Sequence, residues 1–301
     1  MHYDDVVDAS FPARPEGTPV PAAVAAAGPA RRLRDAAEPV AMHPVWSRRV
    51  NEALAEKGLD FLSSYVWGRA AALGDPTAGT AAAAFAWFEP GLVGALVGAG
   101  RAALTRDEVL DIRDRETSAS LAEALAGEDV SAVAEQLLAV VSGLDAHGRP
   151  LFAGLRDRPL PDNPAGRLQR GCELGREYRG DAHAAVVVAA GLSAVEANVL
   201  TELWTGMALG SYTTTRGWSP EAQAAAVGTL EARGWVAGDA LTPAGTAARE
   251  DLEAATDLAS EYLVAGLGDD LDDVVARLDA WGGLCIQAQA FPADALKRAA
   301  G

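Results

Sequence analysis

The chain has 301 residues, half of them apolar, and a formal net charge of −17 at pH 7. That length is ample for one large helical core or for two domains. The acidic balance argues against a protein that grips nucleic acid through a broad basic face, because such binding rests on lysines and arginines displacing counterions from phosphate.

Alanine dominates the apolar half and β-branched runs are few, so the expectation is an all-α chain. Cys172 and Cys285 form no CxxC pair, and the opening MHYDDVVDAS is acidic, unlike a secretion signal. The longest apolar run, around Ala184 to Leu192, is too short to span a bilayer. A cytoplasmic protein with reduced thiols and no membrane partner is expected.

Residues 1–28, rich in Pro, Ala and acid, read as a disordered arm with one short anchored piece near Val6 to Phe11. From Ala30 to Gly58 helices are interrupted by a break between Pro39 and Pro44. His43 and Trp46, beside that break, either face a cavity or pack locally. Leu59 to Leu73 is a mostly buried helix in which Tyr65 and Arg69 share a face. An arginine among apolar residues needs a partner or an anionic ligand, unless its head reaches the surface.

Thr77 to Phe88 reads as a third helix. Phe85, Trp87 and Phe88 cannot share one helical face, so one of them meets a different environment. Pro90 to Gly100 is glycine-rich without the GK[ST] of a phosphate loop, and implies close helix contact. Thr105 to Ala126 is a strong helix opened by a Thr105–Glu108 capping box, and Val130 to Leu144 an amphipathic one. Asp145 to Pro164 is a proline-spotted connection with His147 exposed.

Gly166 to Gly180 leads to Asp181, which suits the N-cap of a helix over 182–190. Arg179 and His183 then hold an anion at a helix N-terminus, or Arg179 pairs with Asp181 or Glu177 and fixes the corner. The histidines at 2, 43, 147 and 183 lack ligand spacing, and no cofactor fingerprint is present, so neither a metal nor a cofactor is expected.

Leu192 to Asp251 organises the rest. Ser219 and Pro220 open a helix that Gly234 stops, Gly238-Asp239 joins two tiny strands, and Thr242-Pro243 opens a long helix to Gly266. A last helix spans Leu271 to Gln287, its apolar stripe serving as core or subunit interface. Helix, helix, small hairpin, long helix is the layout of a winged helix-turn-helix. GWSPEAQAAAVGTLEARGWV and LTPAG resemble the recognition helix and wing of MarR-type regulators. LGREYRGDAHAAVVVAAGLSAVEA and TTRGWSPE resemble, more narrowly, the SalK-like helix-turn-helix family of high-GC bacteria, over roughly Ala30 to Gly268. The resemblance implies a transcriptional regulator that binds DNA, and a homodimer built on the long helix. The positioning helix of a standard MarR domain is replaced here by MALGSYTTTRGW, which carries little helix signal.

The fold expected is therefore all-α with a minimal β-hairpin wing: a helical domain over 29–180, a degenerate winged helix over 181–268, and a C-terminal helix and tail over 269–301. Trp204, Tyr212 and Arg216 near one connection suit a ligand pocket with a polar anchor. With His43, Trp46, Tyr65, Arg69, Trp87, Phe88, Arg179 and His183 they make the candidate ligand-binding set, for an aromatic or anionic small molecule. Gln223 and Arg233 are the candidate DNA contacts. DNA is allowed by the fold and disfavoured by charge, since residues 191–265 carry ten acids against three bases. The leading reading is a small-molecule-binding, ligand-responsive regulator. A scaffold that sequesters a ligand without binding DNA is the alternative. A third reading, a cofactor-independent enzyme with His43 or His183 as base and Arg69, Arg179 or Arg216 holding an anion, has no motif naming a reaction.

Overall fold

The computed structural model describes residues 2–11, 27–294 and 296. Its centre is a 26-residue helix, Pro164–Ala189, which we label α11 after the ten helices that precede it in the described chain. These are α1 (Tyr3–Ser10), α2 (Pro29–Ala41), α3 (His43–Trp46), α4 (Arg48–Ala55), α5 (Phe61–Ala70), α6 (Ala78–Phe85), α7 (Pro90–Ala103), α8 (Arg106–Ala124), α9 (Ser131–Ser142) and α10 (Pro150–Arg156). After α11 come α12 (Ala194–Thr205), α13 (Pro220–Ala232), the strands β1 (Val236–Ala237) and β2 (Ala240–Leu241), α14 (Pro243–Leu258), α15 (Glu261–Leu267) and α16 (Leu271–Gln287).

One apolar core packs α2, α9 and α16 around α11, with Leu33, Val141, Leu168 and Leu278 at its heart. A second joins α4 to α8 through Val50, Val66, Trp67 and Val97. There α7 meets α5 closely: a Cβ at Gly100 would fall on the Trp67 side chain. The third core, Val187, Leu200, Leu230, Val236 and Leu252, closes the winged half. Its local signals act as read from the sequence. The Ser219 hydroxyl accepts the Ala222 N–H, Gly234 and Gly238 take φ of 73° and 65°, and Val236 pairs with Leu241 antiparallel. Burial of such side chains stabilises by about 1.5–3 kcal/mol each.

Several expected boundaries move. No break falls at Gly180, because α11 is held by both halves; Asp181 lies mid-helix and its carboxylate accepts the Phe152 N–H of α10 at 3.0 Å. The anion site at a helix N-terminus formed by Arg179 and His183 therefore does not exist. Pro39 lies inside α2, and the proline-spotted connection contains α10. The third helix stops at Phe85, since Ala86 turns to a φ of 50°. The long helix from Pro243 is broken at Ala259–Ser260. There the Ala259 carbonyl accepts from Arg149 at 2.9 Å and the buried Ser260 hydroxyl donates to the Thr256 carbonyl at 2.8 Å. The anchored piece expected in the arm is α1, whose Val6 is buried; the rest of the arm, 12–26, lies outside the described residues. In α1, Tyr3 donates to the Trp46 carbonyl at 2.5 Å and Phe11 stacks edge-on to Trp46. No single helix among the described residues is long and apolar enough to cross a membrane.

Candidate functional site

A cavity of about 490 Å³ lies where the helical half meets the winged half, a size that suits a small organic molecule. Its walls come from α1, α2, α5, the turn after α6, the middle of α11, α12, the 206–219 connection and α14.

One end is apolar. Val6, Met42, Val45, Phe61 and Phe291 cluster there, with Trp46 and Tyr65 packed on them. Tyr65 continues the aromatic lining to Phe85 and Phe88, at ring distances of 6.3 and 5.7 Å. The turn after α6 explains how Phe85, Trp87 and Phe88 diverge. The Trp87 N–H bonds the Phe85 carbonyl at 2.5 Å across Ala86, a positive-φ γ-turn of the rare, strained kind. That turn aims the Trp87 carbonyl at the winged half, where Asn198 and Trp218 both donate to it at 2.9 Å. It also sets the Trp87 ring 5.2 Å from the His183 ring.

The other end is ionic. Arg31, Arg179 and Arg249 converge on the Glu253 carboxylate at 2.7, 2.8 and 2.6 Å. Burial alone would raise this carboxyl; Arg249, Arg179 and Arg31 overcome it and hold it far below the usual range. Trp204, expected in the lining, lies behind this wall, with the Arg31 and Arg249 guanidiniums over its ring at 4.6 and 4.5 Å. Arg69, read as needing a partner or a ligand, has a partner: Glu177 accepts from it at 2.8 Å and Tyr65 at 3.0 Å. Arg179 pairs with Glu253 and Asp257 of α14, neither of them foreseen.

His183 faces this end with Nδ1 2.8 Å from the Thr256 hydroxyl. That hydroxyl donates to the Leu252 carbonyl at 2.7 Å, so its oxygen accepts and Nδ1 carries the ring proton. Nε2 keeps its lone pair. Burial, then the nearby Arg249, lower its pKa to about 3, so the imidazole is a neutral acceptor. Asp181, also lining the cavity, is pushed up to about 7 by burial, with Glu177 adding to the rise. His43 is not in the wall. It is fully buried beside α8, its Nε2 2.9 Å from the Ser120 hydroxyl, and burial lowers it to about 4.

The connection between α12 and α13 supplies the last wall. It is not a helix of the positioning kind but a run of turns ending in a single 3-10 turn, Thr214–Arg216. Its organiser is Glu202, completely buried, whose carboxylate accepts the N–H groups of Gly210, Tyr212 and Thr213 at 2.8, 2.6 and 2.6 Å. Arg216 is thereby laid over the rings of Tyr212 and Phe88, at 4.1 and 4.9 Å. The Arg216 carbonyl accepts the Glu89 N–H at 2.9 Å.

Of the two candidate DNA contacts, Gln223 is half-buried, its amide set against Gly210. Arg233 is exposed but folded back, donating to the Gly191 carbonyl at 2.7 Å and lying over Trp235. Sequence reasoning missed Arg31, Asp181, Glu202, Arg249 and Glu253. The spacing of Arg249 and Glu253, four apart on one helix, was the one signal available for them.

Among the described residues there is no group of three His, Cys, Asp or Glu side chains able to hold a metal ion. Residues 30–292 match a helix-turn-helix family. No curated protein and no solved structure matches the chain.

Proposed function

The chain belongs to that helix-turn-helix family, and from this premise we propose that it is a small-molecule-binding winged-helix protein, a ligand-responsive transcriptional regulator of SalK-like, MarR-related type. One observation carries the reading: the cavity is walled jointly by the helical half and by the connection that leads into α13. An occupant would touch Tyr65, Phe88 and His183 on one side and Tyr212 and Arg216 on the other, so its binding energy differs between arrangements of the two halves. In this reading α13 is the helix that meets DNA, with Gln223 and Arg233 as its nitrogen donors.

A specific observation favours a second reading, a winged-helix scaffold that binds its ligand without DNA. The exposed acids of the winged half are Glu221, Glu231, Asp239, Glu250, Asp251 and Glu261, against Arg233 as its exposed base. Burial of Glu196 and Glu202 does not relieve that imbalance at the surface.

Two titrations test the proposal. N-phenyl-1-naphthylamine, a neutral aromatic dye that brightens on leaving water, should bind saturably at one dye per chain; no binding would retire the cavity as a ligand site. Fluorescence anisotropy against duplex DNA from the gene's own upstream region should show binding that weakens steeply with salt and exceeds that of scrambled duplex. Absence of binding at low salt would leave the scaffold reading standing.

A further inference from the structure

The arginines of the cavity wall look, as a group, like an anion site, yet most of them are already occupied. Arg31, Arg179 and Arg249 hold Glu253; Arg34 holds Asp35 at 2.6 Å; Arg69 holds Glu177; Arg176 holds Glu38 at 2.8 Å. An incoming anion at that end would meet protein carboxylates at contact distance, with Glu253 filling the position an anionic ligand would want.

Arg216 differs. No carboxylate among the described residues pairs with it; Nη1 reaches only the Thr215 hydroxyl, at 3.0 Å, and the buried Nε has no hydrogen-bond partner. Glu89, joined to it through the main chain, turns its own carboxylate on the Gly91 and Leu92 N–H groups at 2.9 and 2.6 Å. The guanidinium is nonetheless held in place, between two ring faces. A half-buried cation that is positioned but unpaired is an unfilled half of a charge-assisted hydrogen-bond pair. Phe88, on which it lies, is also the start of the aromatic path through Tyr65 to Trp46 and Phe61.

We propose that the cavity takes an amphipathic organic acid, its anionic group forked on Arg216 and its apolar or aromatic body laid along Phe88, Tyr65 and the apolar end. This rests on the cavity being a ligand site, and adds which end of the ligand goes where. His183, a neutral acceptor at Nε2, favours a hydroxyl or N–H on the body over a second anionic group.

The probes are 8-anilinonaphthalene-1-sulfonate and N-phenyl-1-naphthylamine, the same aromatic body with and without the acid. With the unaltered protein the sulfonate should bind about tenfold or more tightly than the neutral dye, despite the chain's overall negative charge. Arg216→Gln should weaken the sulfonate by about the same factor and leave the neutral dye within about twofold. Circular dichroism would establish that the variant is folded, and the comparison on the unaltered protein stands even if it is not. Equal or weaker binding of the sulfonate by the unaltered protein, or a variant that loses both dyes equally, would overturn the anchor while leaving the cavity intact. Failure of both dyes with the unaltered protein would instead remove the ligand site itself.

Discussion

Asp181 shows what a single carboxyl does when a helix is continued through it. Its pKa rises from 3.8 unfolded to about 7 folded because burial removes water and Glu177 lies near, and the backbone N–H groups of Phe152 and Leu151 together with Arg69 do not compensate. Between pH 4 and 7 the unfolded chain is ionised at this residue while the folded one stays protonated, so each pH unit there removes about 1.4 kcal/mol of stability. Asp181→Asn keeps the acceptor and removes the ionisation. Urea unfolding should find it indistinguishable from the parent at pH 4 and more stable at pH 8, by up to about 4 kcal/mol. His43 and His183 work in the other direction. Their folded pKa values of about 4 and about 3 lie below the unfolded 6.5, so their contribution is full above pH 6.5 and is lost as pH falls. Parental stability should therefore decline on acidification from pH 6.5, and His43→Gln should flatten that limb. At Ala86 the strain is conformational: φ is 50° in a residue with a Cβ. Ala86→Gly should raise the unfolding free energy by up to about 1 kcal/mol, the relief of strain outweighing the added freedom of the unfolded chain. A drop in stability would show that the Ala86 methyl, not the turn, is what the wall needs.

At the scale of elements, the 206–219 connection is built by one side chain. Glu202 replaces a helix's internal hydrogen bonds with three that its carboxylate accepts from backbone N–H groups. Glu202→Gln leaves one oxygen and presents an N–H₂ to a donor, so the cost should be about 2–3 kcal/mol. Hydrogen exchange should quicken at Gly210, Tyr212 and Thr213 while α13 stays protected; uniform loosening of the winged half would contradict this local role. How far the elements were legible follows the same logic. The caps at Ser219 and Thr242 and the Thr105–Glu108 box could be read because each depends on residues within one turn, and the helix Leu271–Gln287 because its apolar stripe repeats along its own length. The continuity of α11 through Gly180, the break at Ser260 and the fate of His43 could not, because each is decided by a distant partner: Phe152, Arg149 and Ser120. The cavity was legible in its aromatics and in Arg216. Its ionic wall was not, since nothing in the sequence near Arg31 announces Glu253.

The whole molecule separates its charge. The chain carries −17, while the cavity wall presents seven arginines to four carboxyl groups among the described residues. Behind the wall, Asp35 pairs with Arg34 and Asp257 with Arg179, and Arg216 is the wall arginine that no carboxylate among the described residues holds. For an organic acid this arrangement has a kinetic consequence distinct from affinity. The ligand must approach through a repulsive field that reaches about 30 Å at 0.01 M salt and only about 8 Å at 0.15 M. Stopped-flow mixing with the sulfonate dye should thus give an association rate that climbs severalfold over that range, with the neutral dye unaffected. Most binding sites for charged ligands advertise themselves at long range and are slowed by salt. Here selectivity for the anion would begin only after it has crossed the surface, so ions in the medium would act as an accelerator of capture.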